Sequence, residues 1–223
     1  MLALERAGLD EALSWGTLDG RHVEAVCALH HVAVGTLDSA DWVRRETPDF
    51  FADILDGNGL GLGVFHEERL IAYALIQTRL EPEDDLCALL GYAAARPTAK
   101  LCGSAVDPDY RGRGLQQALS RERLAFGRRT GIERFFATAA PQNCPSWMSL
   151  MRAGLMIAAL GERYGGRLRY TLVLDEVRSD QAGGCREVDA SDVAGQADLL
   201  RAGWRGIRYR RSGESVLLEF MAC

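Results

Sequence analysis

Residues 106–119 read VDPDYRGRGLQQAL: an apolar run, a proline turn, two glycines interleaved with two arginines, then the start of an amphipathic stretch. Such a turn can hold an anion. Gly112 and Gly114 let the backbone close on a ligand with no Cβ in the way. The first N–H groups of the following helix have no intrahelical acceptor and can form a nest for phosphate oxygens. Arg111 and Arg113 add positive charge. The same residues also suit an ordinary strand-to-helix turn, and the local pattern leaves both readings open. A dinucleotide fingerprint is excluded, because Gln117 stands where its third glycine would be. A Walker loop is excluded as well: Lys100 is the only lysine, so no G-K-[ST] exists and Schiff-base chemistry is not expected.

Three other groups could do chemistry. In NCPSWMSLMRAGL, residues 143–155, Asn143 and Ser146 suit the cap and first turn of a short helix. Glu81, Glu83, Asp84 and Asp85 form an acidic run, either a solvated loop or a lure for a cationic amine. Cys102 lies in an apolar run with no neighbouring His or Lys in sequence to activate it, which suits a small buried residue better than a nucleophile. His22, His30, His31 and His66 have no metal-ligand spacing, and no metal is expected.

The elements that must position these residues follow from periodicity and caps. A strand is expected at 11–17 and a helix at 20–34, capped by Asp19. Thr47-Pro48 opens a second helix ending near Gly57. Residues 61–67 and 69–80 read as a hairpin turning at Glu67-Glu68, whereas 81–100 has no clear assignment. Then come a strand at 101–106, a helix at 112–129 closed by Gly131, a strand at 132–140, the short helix to Gly154, and strands at 155–163 and 167–174 around Gly165-Gly166. Residues 176–184 read as a linker, and 185–223 as strand, helix (191–203), strand, strand. The expected class is α/β with a mixed sheet.

Arg111-Gly112-Arg113-Gly114-Leu115-Gln116 resembles motif A, [Q/R]-x-x-G-x-[G/A], of the GNAT superfamily of acyl-CoA N-acyltransferases, departing from it at Gln116. Residues 143–155 look like the family's motif B, and Glu162–Tyr170 (E-x-Y-G-G-x-x-R-Y) is similar to a hairpin of many bacterial members. The resemblance implies a mostly antiparallel central sheet flanked by helices, with residues 1–175 as the acyltransferase domain. Residues 176–223 are then a small α/β extension that packs on this core or on a second subunit, making a homodimer. It also implies acetyl-CoA as co-substrate. Ser104, Ala105 and Val106 would pair with pantetheine; Arg111, Gly112, Arg113, Gly114, Leu115 and Gln116 would hold the pyrophosphate; and Asn143 and Ser146, at the start of the motif B helix, would also contact the cofactor. Direct transfer to a small-molecule or peptide amine is the implied reaction.

The usual acid and base of the family do not carry over. Residues 101–106 contain no carboxylate, and Leu150 occupies the position of the usual tyrosine. Tyr164, Tyr110 and Cys102 are the substitutes that chemistry alone offers. A longer acyl-CoA, with a channel near Ala137 and Ala139, an oxygen acceptor, and a CoA-binding module without catalysis stay open as alternatives. The composition, 48% hydrophobic and 26% charged with a net charge of −5, is that of a globular chain and does not favour a nucleic-acid partner. With no apolar run near membrane-spanning length and six scattered cysteines lacking a C-x-x-C pair, a cytoplasmic protein with free thiols is expected.

Overall fold

The computed structural model describes residues 13–44, 46–92, 96–175 and 184–222. Ten strands form one sheet in the order β1-β2-β3-β4-β5-β7-β6-β9-β10-β8. They are β1 (Leu13–Leu18), β2 (Gly59–His66), β3 (Arg69–Gln77), β4 (Thr98–Val106), β5 (Arg134–Ala139), β6 (Met156–Arg163), β7 (Arg167–Asp175), β8 (Cys185–Asp189), β9 (Trp204–Ser212) and β10 (Ser215–Ala222). Only the β4–β5 pair is parallel; every other pairing is antiparallel. The helices are α1 (Val23–Gly35), α2 (Pro48–Asp53), α3 (Leu86–Leu90), α4 (Leu115–Arg129), α5 (Cys144–Arg152) and α6 (Val193–Arg201). The expected mixed α/β class with a largely antiparallel sheet is the observed one.

Alternation along β3 distributes its side chains to two layers. Tyr73 and Leu75 face α1 and α2, packing with Val26, Leu29 and Phe51. Ala72 and Ala74 face α4, packing with Leu115 and Leu119. On β4 the alternation is interrupted: Ala74 pairs with Ser104 and Leu75 with Cys102, so Gly103 is an inserted residue. The bulge explains why Cys102 and Ala105, three apart, share the α1–α2 face. Gly103 takes φ +31, a value that excludes most other residues.

Some boundaries differ from those read off the sequence. The helix expected from 112 starts at Leu115, because Gly112 and Gly114 both adopt positive φ, near 77° and 76°, and cannot be helical. Residues 81–100 contain a 3-10 turn at Pro82–Asp84, the helix α3 and the start of β4. Two short elements with separate caps have no sustained period to detect. The linker expected at 176–184 lies outside the described residues except for Gly184.

The C-terminal strands continue the sheet. β9 pairs with β6 at Ile157–Gly206, where a Cβ on Gly206 would press on Ile157. Leu199, Leu200, Leu218 and Phe220 join one apolar cluster with Trp147, Tyr170 and Leu172. Trp147 is fully buried, with its ring edge-on to Tyr170 and to Tyr209 of β9. Among the described residues no helix is long and apolar enough to cross a membrane.

Candidate active site

The site originates where the sheet opens. β4 and β5 pair only over Thr98–Lys100 and Arg134–Phe136, and beyond Lys100 they diverge. β5 stays bonded to β7 along its other edge. Residues 101–106 therefore present backbone groups that no β5 residue pairs, an open edge suited to an extended ligand. The β4 bulge lies along this gap, and α4 braces it from behind. Arg123 is 2% exposed and its Nη1 donates to the carbonyls of Leu75 and Cys102, at 2.9 and 3.0 Å. Without it, two buried carbonyls beside the disrupted ladder would lose a donor. Burial pushes the Arg123 guanidinium down to about 10, still cationic at neutral pH.

Two cavities meet in the gap. The outer one, about 480 Å³, runs from Gly112 and Gly114 past Ser104, Ala105 and Val106 to Asn143 and Ser146, with Arg152 and Arg211 also in its wall. The inner one, about 120 Å³, is lined by Leu101–Ser104, Ala137–Ala139, Leu150 and Tyr164. Ser104, Gln116, Asn143 and Ser146 line both, so the two are continuous.

The structure thus brings Ser104, Ala105, Val106, Arg111, Gly112, Gly114, Leu115, Gln116, Asn143 and Ser146 around one cleft. α4 begins there with no side-chain cap and no acidic residue in its first turn, leaving N–H groups and the positive end of its dipole open. A Cβ at Gly112 or Gly114 would meet nothing within 4 Å, so the space above the turn is free. Gln117 adds a buried Nε2 without a hydrogen-bond partner among the described residues. A turn serving only to reverse the chain needs none of these open donors; an anionic group such as a pyrophosphate fits them. Asn143 caps α5, its Oδ1 accepting from the Ser146 N–H at 3.3 Å.

The arginines of the turn behave differently from a free pair of charges. Arg111 donates to Thr36 Oγ1 at 2.8 Å and to the carbonyls of Ala33 and Val106, which ties the turn to the end of α1. Arg113 is stacked over Tyr110, its guanidinium carbon 4.9 Å from the ring centre. Tyr110 itself is held by His66, Nδ1 to Oη 2.6 Å, at the turn and away from the inner cavity. Cys102 does face the inner cavity, but burial pushes its thiol up to about 12, leaving no thiolate at neutral pH. Tyr164, with φ 51 at the β6–β7 turn, lies in the inner wall, its hydroxyl 3.2 Å from Thr138 Oγ1.

Sequence reasoning missed Glu46. It precedes the Thr47 cap of α2, lines the inner cavity and is 9% exposed. Burial raises its carboxyl to about 7, against the pull of Arg44 and then Lys100, with Asp84 pushing further up. Lys100 and His30, assigned no role in the site from sequence, also line this cavity. Lys100 faces the inner cavity and pairs with Asp84 at 2.5 Å. His30 donates or accepts at Nδ1 with Tyr73 Oη, 2.8 Å away, and lines both cavities. Three acids of the run, Glu81, Glu83 and Asp85, are exposed, as in a solvated loop, and one is enclosed. Asp84 is 1% exposed and bonded to Lys100 and Arg163, Asp85 caps Cys87, and Glu83 lies 3.5 Å from Arg44. No signal in the sequence distinguishes the buried acid from its three neighbours. Among the described residues no cluster of His, Cys, Asp and Glu could hold a metal ion.

Residues 24–154 match the model of the acetyltransferase (GNAT) family. No curated protein sequence matches the chain. Among solved structures, the chain is similar to the ribosomal-protein-S18-alanine N-acetyltransferase of Escherichia coli, with TM-score 0.56 and 17% identity over 76% of this chain and 97% of that one. It is similar to the putative acetyltransferase yncA of Salmonella typhimurium, solved with acetyl-CoA, with TM-score 0.58 and 18% identity over 77% and 98% of the two chains. Arabidopsis thaliana NAA60 in complex with acetyl-CoA gives TM-score 0.57 and 17% identity over 73% and 99%. At these identities the structural likeness speaks for the fold.

Proposed function

The chain belongs to the acetyltransferase (GNAT) family, and we propose that it moves an acetyl group from acetyl-CoA directly to a primary amine held in the inner cavity. The observation that carries this reading is one continuous cleft. It joins an open helix N-terminus, an unpaired strand edge and a buried carboxyl raised to about 7.

In this reading the N–H groups at the start of α4, with the Gln117 amide, hold the pyrophosphate, while Arg152 and Arg211 supply charge at the far wall. The edge of β4 at Ser104–Val106 bonds the pantetheine arm, and a β4 N–H beside the bulge stabilises the oxyanion that develops at the thioester carbonyl. Glu46 takes the proton as the amine nitrogen bonds to the carbonyl carbon. A base is most effective when its pKa lies near the working pH, and burial has brought Glu46 there. As the carbon–sulfur bond breaks, Tyr164 gives a proton to the departing thiolate, in place of the phenol absent at Leu150. The small inner volume, about 120 Å³, favours acetyl over a long acyl chain.

Calorimetric titration with acetyl-CoA tests the reading. The wild-type chain should bind and the folded Gly114→Glu variant should not, since the substitution sets a carboxylate on the phosphate-binding turn. Thiol release in the presence of amines then reports transfer. Absence of acetyl-CoA binding by the wild type refutes the proposal, and binding with no transfer to any amine would mean a CoA-binding module instead.

A further inference from the structure

The charges around the inner cavity are unequal. Its wall carries four cations, Arg44, Lys100, Arg123 and Arg169, against one carboxyl, Glu46. Lys100 is balanced by Asp84, and Arg123 is committed to the bulge carbonyls. Arg169 is different. It is 4% exposed, and its guanidinium donates to the carbonyls of Leu168 and Asp41 at 2.8 and 2.6 Å. No carboxylate among the described residues lies within ion-pair distance of it; the Asp41 carboxylate is 3.2 Å from Arg167 instead. Arg44 lies over the Tyr164 ring, 3.4 Å from Glu46 and 3.5 Å from Glu83, longer than direct charge-assisted hydrogen bonds of about 2.7–2.9 Å.

A buried guanidinium without a counter-ion is costly, and an anionic ligand would relieve that cost. A polyamine or a lysine side chain would add to the positive excess. Arg44 and Glu46 are close neighbours, so a bound molecule meets a cation and a proton acceptor a few ångströms apart. An α-amino acid presents a carboxylate and an amine at that separation, and a planar guanidinium matches a carboxylate with two donors. Resting on the acetyltransferase reading above, we propose that the acceptor is a free α-amino acid, its carboxylate held by Arg169 and Arg44 and its amine turned towards Glu46. The residues that would select it lie on the α1–α2 loop and β7.

The test compares free amino acids with their carboxamides, together with spermidine and a short peptide, as acceptors for the full chain at saturating acetyl-CoA. Transfer should favour free acids over amides in kcat/KM by about tenfold or more, the effect of one lost hydrogen bond to a charged group. Arg169→Gln should raise KM for the acid by a similar factor while the Kd for acetyl-CoA holds. Should Arg169→Gln fail to fold, Arg44→Gln, at a more exposed position, serves as the second variant. Equal or better turnover of amides, spermidine or peptide overturns the proposal. So does absence of transfer to any free amino acid by a chain that binds acetyl-CoA. Failure to bind acetyl-CoA overturns the acetyltransferase reading itself, and this proposal with it.

Discussion

Replacing Glu46 with glutamine should make the protein more stable and much less active, and pH separates the two effects. The Glu46 carboxyl titrates near 7 in the folded chain, against an ordinary glutamate value of 4.5, and burial is the main cause. Folding therefore favours its protonated form. Above pH 7 the folded chain must ionise a carboxyl that it holds less well than the unfolded chain does. That penalty is at most about 3 kcal/mol, the free-energy equivalent of the gap between the two values. Glutamine removes it. The gain should be complete above pH 7, shrink as the pH falls through 7, and be nearly gone close to 4.5, where both states are increasingly protonated. For a chain of this length it corresponds to a rise in Tm of about 6–10 °C at pH 8. Acetyl transfer should fall by about 10²–10⁴. The wild-type rate should climb with pH to a plateau, with an inflection near 7, as Glu46 becomes the free base. Thermal melts at pH 5 and 8, beside a pH–rate profile, measure both. A Glu46→Gln variant that melts lower than the wild type at pH 8, or transfers at the wild-type rate, would refute the argument for Glu46 as a buried base.

Two further outcomes follow from the C-terminal strands. Arg211 lies on β9 in the wall of the outer cavity and makes no ion pair among the described residues. Arg211→Ala should weaken acetyl-CoA binding by about 0.5–1 kcal/mol, an effect that fades in high salt, as expected of an exposed charge. The same loss measured at low and at high salt would count against a phosphate contact. Removing residues 176–223 should strip Leu199, Leu200, Leu218 and Phe220 from the cluster around Trp147 and lower stability by more than a single Phe→Ala change, about 3–5 kcal/mol. An unchanged melting temperature would mean that the extension does not support the core.

The sequence by itself determined the turn and the caps. Gly112 and Gly114 were legible because positive φ is a local demand that few other residues meet. Thr47-Pro48, Asn143 and Asp19 were legible because a cap bonds the chain within three residues of itself. The strand–helix order followed from such short-range signals, and the family from the resemblance of residues 111–116 and 143–155 to its motifs. Only the tertiary structure decided which charges matter. Glu46, Lys100 and Arg169 come from three segments with no sequence proximity, and each meets the others only once the α1–α2 loop closes over the gap beyond the β4–β5 pairing. Asp84 looked like its acidic neighbours until Lys100 and Arg163 enclosed it. Residue type sets which charges a chain can carry, but desolvation sets what they do, and desolvation comes from residues far away along the chain.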